Sequence, residues 1–313
     1  MADEDRLAGA ASVEKAVAFG PNRSLVGVWT TPAGGSSGSP PAMLLLNSGV
    51  IHHVGSWRLH TRLARALAAE GFSSLRFDLS GIGDSERRSE AATLEENVAK
   101  DVADAISYVR DVLGVDRVVL LGLCSGARDS LEAAERDASV TGVVTIDLVA
   151  DLQTRRHYLQ HFGRRLFILE SWWNTITGRN RVFERATGAL RSRSSAASSK
   201  SEEEAQVGLR FAMSRQHVSR VVATLFERDA NLLFVYSAGL EGNYNHESQL
   251  REALPEHAAH PNLSVEFFST ADHTFSRVAR QAELISVVTG WMRNTFASAS
   301  IAAAGSVATH GGS

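Results

Sequence analysis

The stretch Val118-Val119-Leu120-Leu121-Gly122-Leu123-Cys124-Ser125-Gly126-Ala127 decides the fold. Four large apolar residues in succession predict a strand buried on both faces, as in the middle of a parallel sheet. The strand runs into Gly-x-Cys-x-Gly, and Ala127, Leu131 and Ala134 then recur at helical spacing. A strand, a sharp turn flanked by glycines and a helix make a nucleophile elbow. Glycines are needed because the turn is strained and the neighbouring backbones approach too closely for side chains. The residue at its apex, Cys124, would project from the sheet at the N-terminus of a helix, where free N–H groups and the helix dipole favour an anion. Ser125 lies one place past the apex, so its backbone N–H rather than its side chain would face the reacting group.

Bulk properties narrow the setting. A chain of 313 residues with 44% hydrophobic content can bury a large core. The net charge of −3 argues against a general nucleic-acid binder. One cysteine excludes an internal disulfide and suits a reducing cytoplasm, the expected location. Met1 to Arg6 is acidic and lacks the apolar segment of a signal peptide. No apolar run approaches the roughly 18 residues that a membrane span needs.

Outward from the elbow, strand and helix patterns alternate. Lys15 to Phe19 and Ser24 to Thr30 predict an antiparallel hairpin at the sheet edge, and Thr31 to Pro41 a loop. Ala42 to Leu46 predicts a buried strand leading into Asn47-Ser48-Gly49-Val50-Ile51-His52-His53. A helix is expected from Trp57 to Ala69, with Gly71 as its stop. Ser74 to Leu79 predicts a strand entering the turn Asp78 to Ser85, where Asp78 and Asp84 are expected as structural ligands. Thr93 and Glu96 form a capping box for a helix whose inward face reads Leu94, Val98, Val102, Ile106 and Val109. Strands are expected again at Val140 to Leu148, Asn231 to Tyr236 and Asn262 to Phe268. A final helix would bury Phe275, Val278, Ala282, Ile285, Val288 and Trp291.

This alternation predicts an α/β fold with a mostly parallel central sheet flanked by helices. The pattern breaks once, between residues 150 and 229, where helical spacing predicts an inserted cap. The domain reading is therefore a core of 1–149 and 230–297, a cap of 150–229, and a disordered tail of 298–313 rich in Ala, Ser and Gly.

These motifs resemble the α/β-hydrolase superfamily over about residues 15 to 297. The elbow, the Asp78 to Ser85 turn and Ala271-Asp272-His273-Thr274-Phe275 after the last strand carry the resemblance. Asn-Ser-Gly-Val-Ile-His, Asp-Leu-Ser-Gly-Ile-Gly-Asp-Ser and Gly-Leu-Cys-Ser-Gly-Ala resemble exosortase-system-associated hydrolases. A cysteine at the elbow is also similar to dienelactone hydrolases and to Dieckmann-type natural-product cyclases. The superfamily's order of nucleophile, acid and histidine implies Cys124 as nucleophile and His273 as base.

Two carboxylates compete to orient His273. Glu241 follows the strand ending at Tyr236, where the superfamily usually keeps its acid, in a loop reading Ser237-Ala238-Gly239-Leu240-Glu241. Asp147 closes the strand after the elbow. A strand end holds a carboxylate more rigidly than a Gly-containing loop, which favours Asp147. Asp151 and Asp272 are weaker candidates. The N–H of Ser125 and that of Val50, after Ser48-Gly49, would form the oxyanion hole.

His157 and His161 have i,i+4 spacing, but no Glu follows His157, so a solvated helix face is the preferred reading. No metal and no cofactor are expected. Thiolates exchange readily with thioesters, so a small-molecule acyl substrate is expected, carried by CoA or an acyl-carrier protein. Nine arginines between Leu152 and Arg193, against Glu170 and Glu184, suit such an acidic carrier. Phe167, Trp172 and Trp173 are candidates to line an acyl pocket.

Overall fold

The computed structural model describes residues 12–35, 40–88, 92–166, 212–240 and 242–297. Eight strands form one sheet: β1 (Ser12–Phe19), β2 (Leu25–Pro32), β3 (Ala42–Leu45), β4 (Ser74–Phe77), β5 (Val118–Leu123), β6 (Val140–Ile146), β7 (Asn231–Ser237) and β8 (Leu263–Phe268). Their spatial order is β1-β2-β4-β3-β5-β6-β7-β8. The β1–β2 hairpin runs from Ser12↔Pro32 to Phe19↔Leu25, and β2 pairs antiparallel with β4. Every pairing from β4 to β8 is parallel.

The elbow strand β5 lies between β3 and β6, and all of its residues are buried. Val118 and Leu120 face one apolar cluster; Val119, Leu121 and Leu123 face the other. A strand covered on both sides cannot alternate polar with apolar, which explains its uninterrupted Val/Leu run. Each such side chain contributes on the order of 1.5–3 kcal/mol when fully buried.

Helices cover both faces. α1 (Leu59–Ala69) and α7 (Val278–Met292) pack on the Val119/Leu121 face. α2 (Leu94–Asp111), α3 (Ser125–Arg136) and α5 (Arg215–Phe226) pack on the other. Two further helices are α4 (Arg155–Leu166), which follows β6, and the five-residue α6 (Gln249–Ala253), between β7 and β8. No helix of the described residues is long and apolar enough to cross a membrane.

Several expectations need correction at single positions. The capping box at Thr93 and Glu96 is present, yet Leu94 is 65% exposed. Asp101 takes a buried place on that face instead, because Ser80 N–H, Ser80 Oγ and Arg88 all donate to its carboxylate. On α7, Val278 and Ala282 face outward while Gln281, Leu284, Val288 and Met292 face inward. Gln281 tolerates burial by accepting a 2.7 Å hydrogen bond from Arg62. Phe275 lies in the loop before that helix and is fully buried. Trp57 precedes α1 in a short 3-10 turn rather than joining its face.

Helix α5 falls in the interval expected as a cap. Its Val218, Val221, Val222, Leu225 and Phe226 belong to the same apolar cluster as Leu120 and Leu131 of the core. The arginines beyond Arg165, with Phe167, Trp172 and Trp173, lie outside the described residues.

Candidate active site

The elbow is built by close approach. A Cβ on Gly122 would fall 2.0 Å from the carbonyl oxygen of Gly126, and one on Gly126 would fall 2.4 Å from that of Asn47. Cys124 sits between them at φ 58°, ψ −112°, as the N-cap of α3. Such a conformation is costly for any residue but glycine and persists only where its surroundings impose it. Its N–H is fixed to Ile146 O at 2.9 Å. The N–H groups of Ala127 and Arg128 donate to Cys124 O, whereas that of Ser125, the first residue of α3, has no acceptor within the helix.

His273 enters from the loop after β8. Asp272 shapes this loop, accepting from the N–H and hydroxyl groups of Thr274 and Ser276. Burial pushes Asp272 up, but these donors outweigh it and hold its carboxyl at about 2. Phe275, at φ 51°, anchors the loop in the core.

Nδ1 of His273 lies 2.9 Å from Oδ2 of Asp147, which is fully buried at the end of β6. Cys124 is the second group that acts on the ring, favouring its protonated form. Burial lowers the basicity of the ring; the Asp147 and Cys124 hydrogen bonds and charges more than reverse this, raising His273 to about 10. The imidazole is therefore held as imidazolium across neutral pH.

Of the other candidate acids, Asp151 is exposed, Asp272 is committed to its own loop, and Glu241 lies outside the described residues. Val50 sits on the exposed Ser48–Ile51 turn, with 88% of its surface accessible. Its neighbour Gly49 makes the direct link to the elbow, donating its N–H to Ser125 Oγ at 2.8 Å.

The two turns beside the site are tied through Asp78. Its buried carboxylate accepts from Asn47, from His53 N–H and Nδ1, and from Asp84 N–H. Asp78 is thus the structural ligand expected, whereas Asp84 contributes its backbone. His53, Asp78 and Asp84 bring potential metal ligands within 4.8 Å of one another, but Asp78 already meets protein donors on both oxygens. His157 is buried rather than solvated, its Nδ1 3.1 Å from Gln249 Oε1.

Sequence reasoning missed two residues at the site. Ser237, at the end of β7, donates both its N–H and its hydroxyl to Asp147 at 2.6 Å each. Trp57 reaches Thr274, the residue after His273, through a 3.3 Å hydrogen bond. Only the strand-end position of Ser237 hinted at the first; nothing in sequence marked the second.

The profile of the alpha/beta hydrolase fold family matches residues 42–217, more than half of the chain, and the chain belongs to that family. Among solved structures it is similar to an esterase from Pyrococcus furiosus, at 14% identity and a TM-score of 0.58, covering 92% of each chain. It is also similar to the esterase domain of a Rhodothermus marinus protein, at 19% identity and a TM-score of 0.52, covering 90% of this chain and 99% of that one. A hypothetical protein from Pseudomonas aeruginosa shares 16% identity at a TM-score of 0.52, covering 91% and 94% respectively. At these identities the likeness is one of fold. No curated protein sequence matches the chain.

Proposed function

We propose that this protein is an acyl-transferring hydrolase that works through a covalent acyl-Cys124 intermediate, with His273 as acid and base and Asp147 as its orienting carboxylate. The observation that carries this reading is the 2.9 Å contact of His273 Nδ1 with the buried Asp147 carboxylate, together with the influence of the elbow cysteine on the same ring.

The cycle begins with the proton of the Cys124–His273 pair on the imidazole. Sulfur attacks the acyl carbon, forming a C–S bond and an oxyanion. The N–H of Ser125 and the Val50 amide receive that oxyanion, Gly49 N–H being engaged by Ser125 Oγ. Collapse breaks the bond to the leaving group, which departs with the proton of His273. The ring, now neutral, takes a proton from water as the water oxygen adds to the acyl carbon. Collapse then expels the Cys124 thiolate and releases the acid, restoring the imidazolium. Asp147 holds the ring orientation throughout.

A sulfur nucleophile exchanges with a thioester at little energetic cost, so thioesters and activated esters are the substrates of choice, carried by CoA or an acyl-carrier protein. An internal nucleophile of the acyl chain could replace water and close a ring, as in the cyclases the elbow resembles. The test is intact-mass analysis after mixing with short acyl-pantetheine thioesters. Rapid stoichiometric acylation, lost in Cys124→Ala, is expected. Unchanged acylation of the alanine variant would refute the assignment and turn attention to Ser125.

A further inference from the structure

We propose that Ser237 is a positioning residue, which fixes the Asp147 carboxylate in the plane from which it receives His273. This rests on the Cys124–His273–Asp147 reading above. Strand β7 lies between β6, which Asp147 directly follows, and β8, which leads to His273. Asp147 must therefore reach over the end of an intervening strand to meet the ring, a separation of about 10 Å across two strand spacings. The residue at that end is Ser237, which is fully buried.

Its two donors grip the carboxylate on both oxygens. The N–H gives to Oδ1 and the hydroxyl to Oδ2, each at 2.6 Å, while Oδ2 also receives His273 Nδ1 at 2.9 Å. Because the N–H and the hydroxyl take different oxygens, Ser237 sets the carboxylate plane independently of the ring that it must receive. The hydroxyl is itself oriented, because Ser237 Oγ accepts the Gly239 N–H at 3.2 Å and so has its own proton available for Asp147. The same segment packs against the histidine: a Cβ on Gly239 would fall 2.0 Å from His273 N. Ser237 thus joins the acid to the backbone that presents the base. Asp147 adopts φ 51°, and this grip accompanies a strained backbone at the strand end.

The test is a double-mutant cycle, reading the p-nitrophenolate burst from p-nitrophenyl butyrate and the downfield Nδ1 proton of His273 by NMR. Ser237→Ala should slow acyl-Cys124 formation on the order of tenfold or more with KM unchanged, and broaden the Nδ1 proton signal. Ser237→Thr, which keeps the hydroxyl, should recover most of the lost rate. In an Asp147→Ala background, Ser237→Ala should cost no further rate, because the residue acts only through that carboxylate. An alanine variant that loses its circular dichroism spectrum is replaced in the cycle by Ser237→Cys, a weak donor. The proposal is overturned if Ser237→Ala keeps the wild-type rate while Asp147→Ala is crippled, or if its effect persists at full size without Asp147. Wild-type acylation by Asp147→Ala would instead overturn the acid assignment beneath it.

Discussion

Nδ1 of His273 and Oδ2 of Asp147 stand 2.9 Å apart although 126 residues separate them in the chain. The carboxylate is fully buried and is held by Ser237 as well as by the ring. A buried, fixed carboxylate selects the tautomer with the proton on Nδ1 and stabilises the imidazolium. Asp147→Asn removes the negative charge and should cut single-turnover acylation on the order of 10³–10⁴-fold. Glu241→Gln should change it little. The reverse pattern in stopped-flow measurements would transfer the acid role to Glu241.

His273 ties stability to pH. Its folded value, raised to about 10, exceeds the 6.5 of an unperturbed histidine. The folded state therefore binds more protons than the unfolded chain between these values. The resulting stabilisation is fully present below pH 6.5 and is lost as pH rises through about 10. Urea unfolding from pH 6.5 to 10 should show wild-type stability falling relative to His273→Gln. Parallel curves would contradict the imidazolium assignment, as would an NMR titration of the ring near neutral pH.

The elbow was legible because it couples a doubly buried strand to glycines that no side chain can replace, and both constraints are written locally. The meeting of His273 with Asp147 was legible from their places at strand ends, since parallel strands bring those ends together. Residues read from periodicity alone fared less well. Leu94 and Asp101 compete for one helix face, and the outcome depends on Ser80 and Arg88, which donate to Asp101 from another part of the chain. Gln281 is buried through Arg62 in the same way. Ser237 was read as the first residue of a loop, because a serine at a strand end does not announce a carboxylate from the adjoining strand.

The side chain of Ser125 has a separable role. Its Oγ accepts the Gly49 N–H at 2.8 Å and so holds the turn that carries Val50. Ser125→Ala keeps the backbone donor proposed for the oxyanion but releases the turn. It should lower kcat toward p-nitrophenyl butyrate about tenfold, less than the roughly 10²–10³ lost with a whole oxyanion donor. Acylation should still map to Cys124 by mass spectrometry. A Ser125→Ala variant with no acylation at all would instead point to the hydroxyl as the nucleophile.

Trp57 is an exposed aromatic held beside the loop of His273. It is 66% accessible, yet its backbone is held at φ 51°. Its indole N–H donates to Thr274 at 3.3 Å, and its carbonyl accepts from Gln281 at 3.4 Å. A large apolar side chain fixed in an unfavourable conformation without burial is of little use to the core. Next to His273 it can cover the apolar part of an acyl substrate, and such aromatic contact is worth about 0.5–1.5 kcal/mol beyond buried area. Trp57→Ala should therefore raise KM for p-nitrophenyl octanoate about tenfold while changing that for the acetate little. Trp57→Phe should fall between, keeping the ring but losing the tether to Thr274. Equal effects on acetate and octanoate would show that the tryptophan supports the His273 loop rather than the substrate, and its kcat loss would then track loss of the Thr274 hydrogen bond.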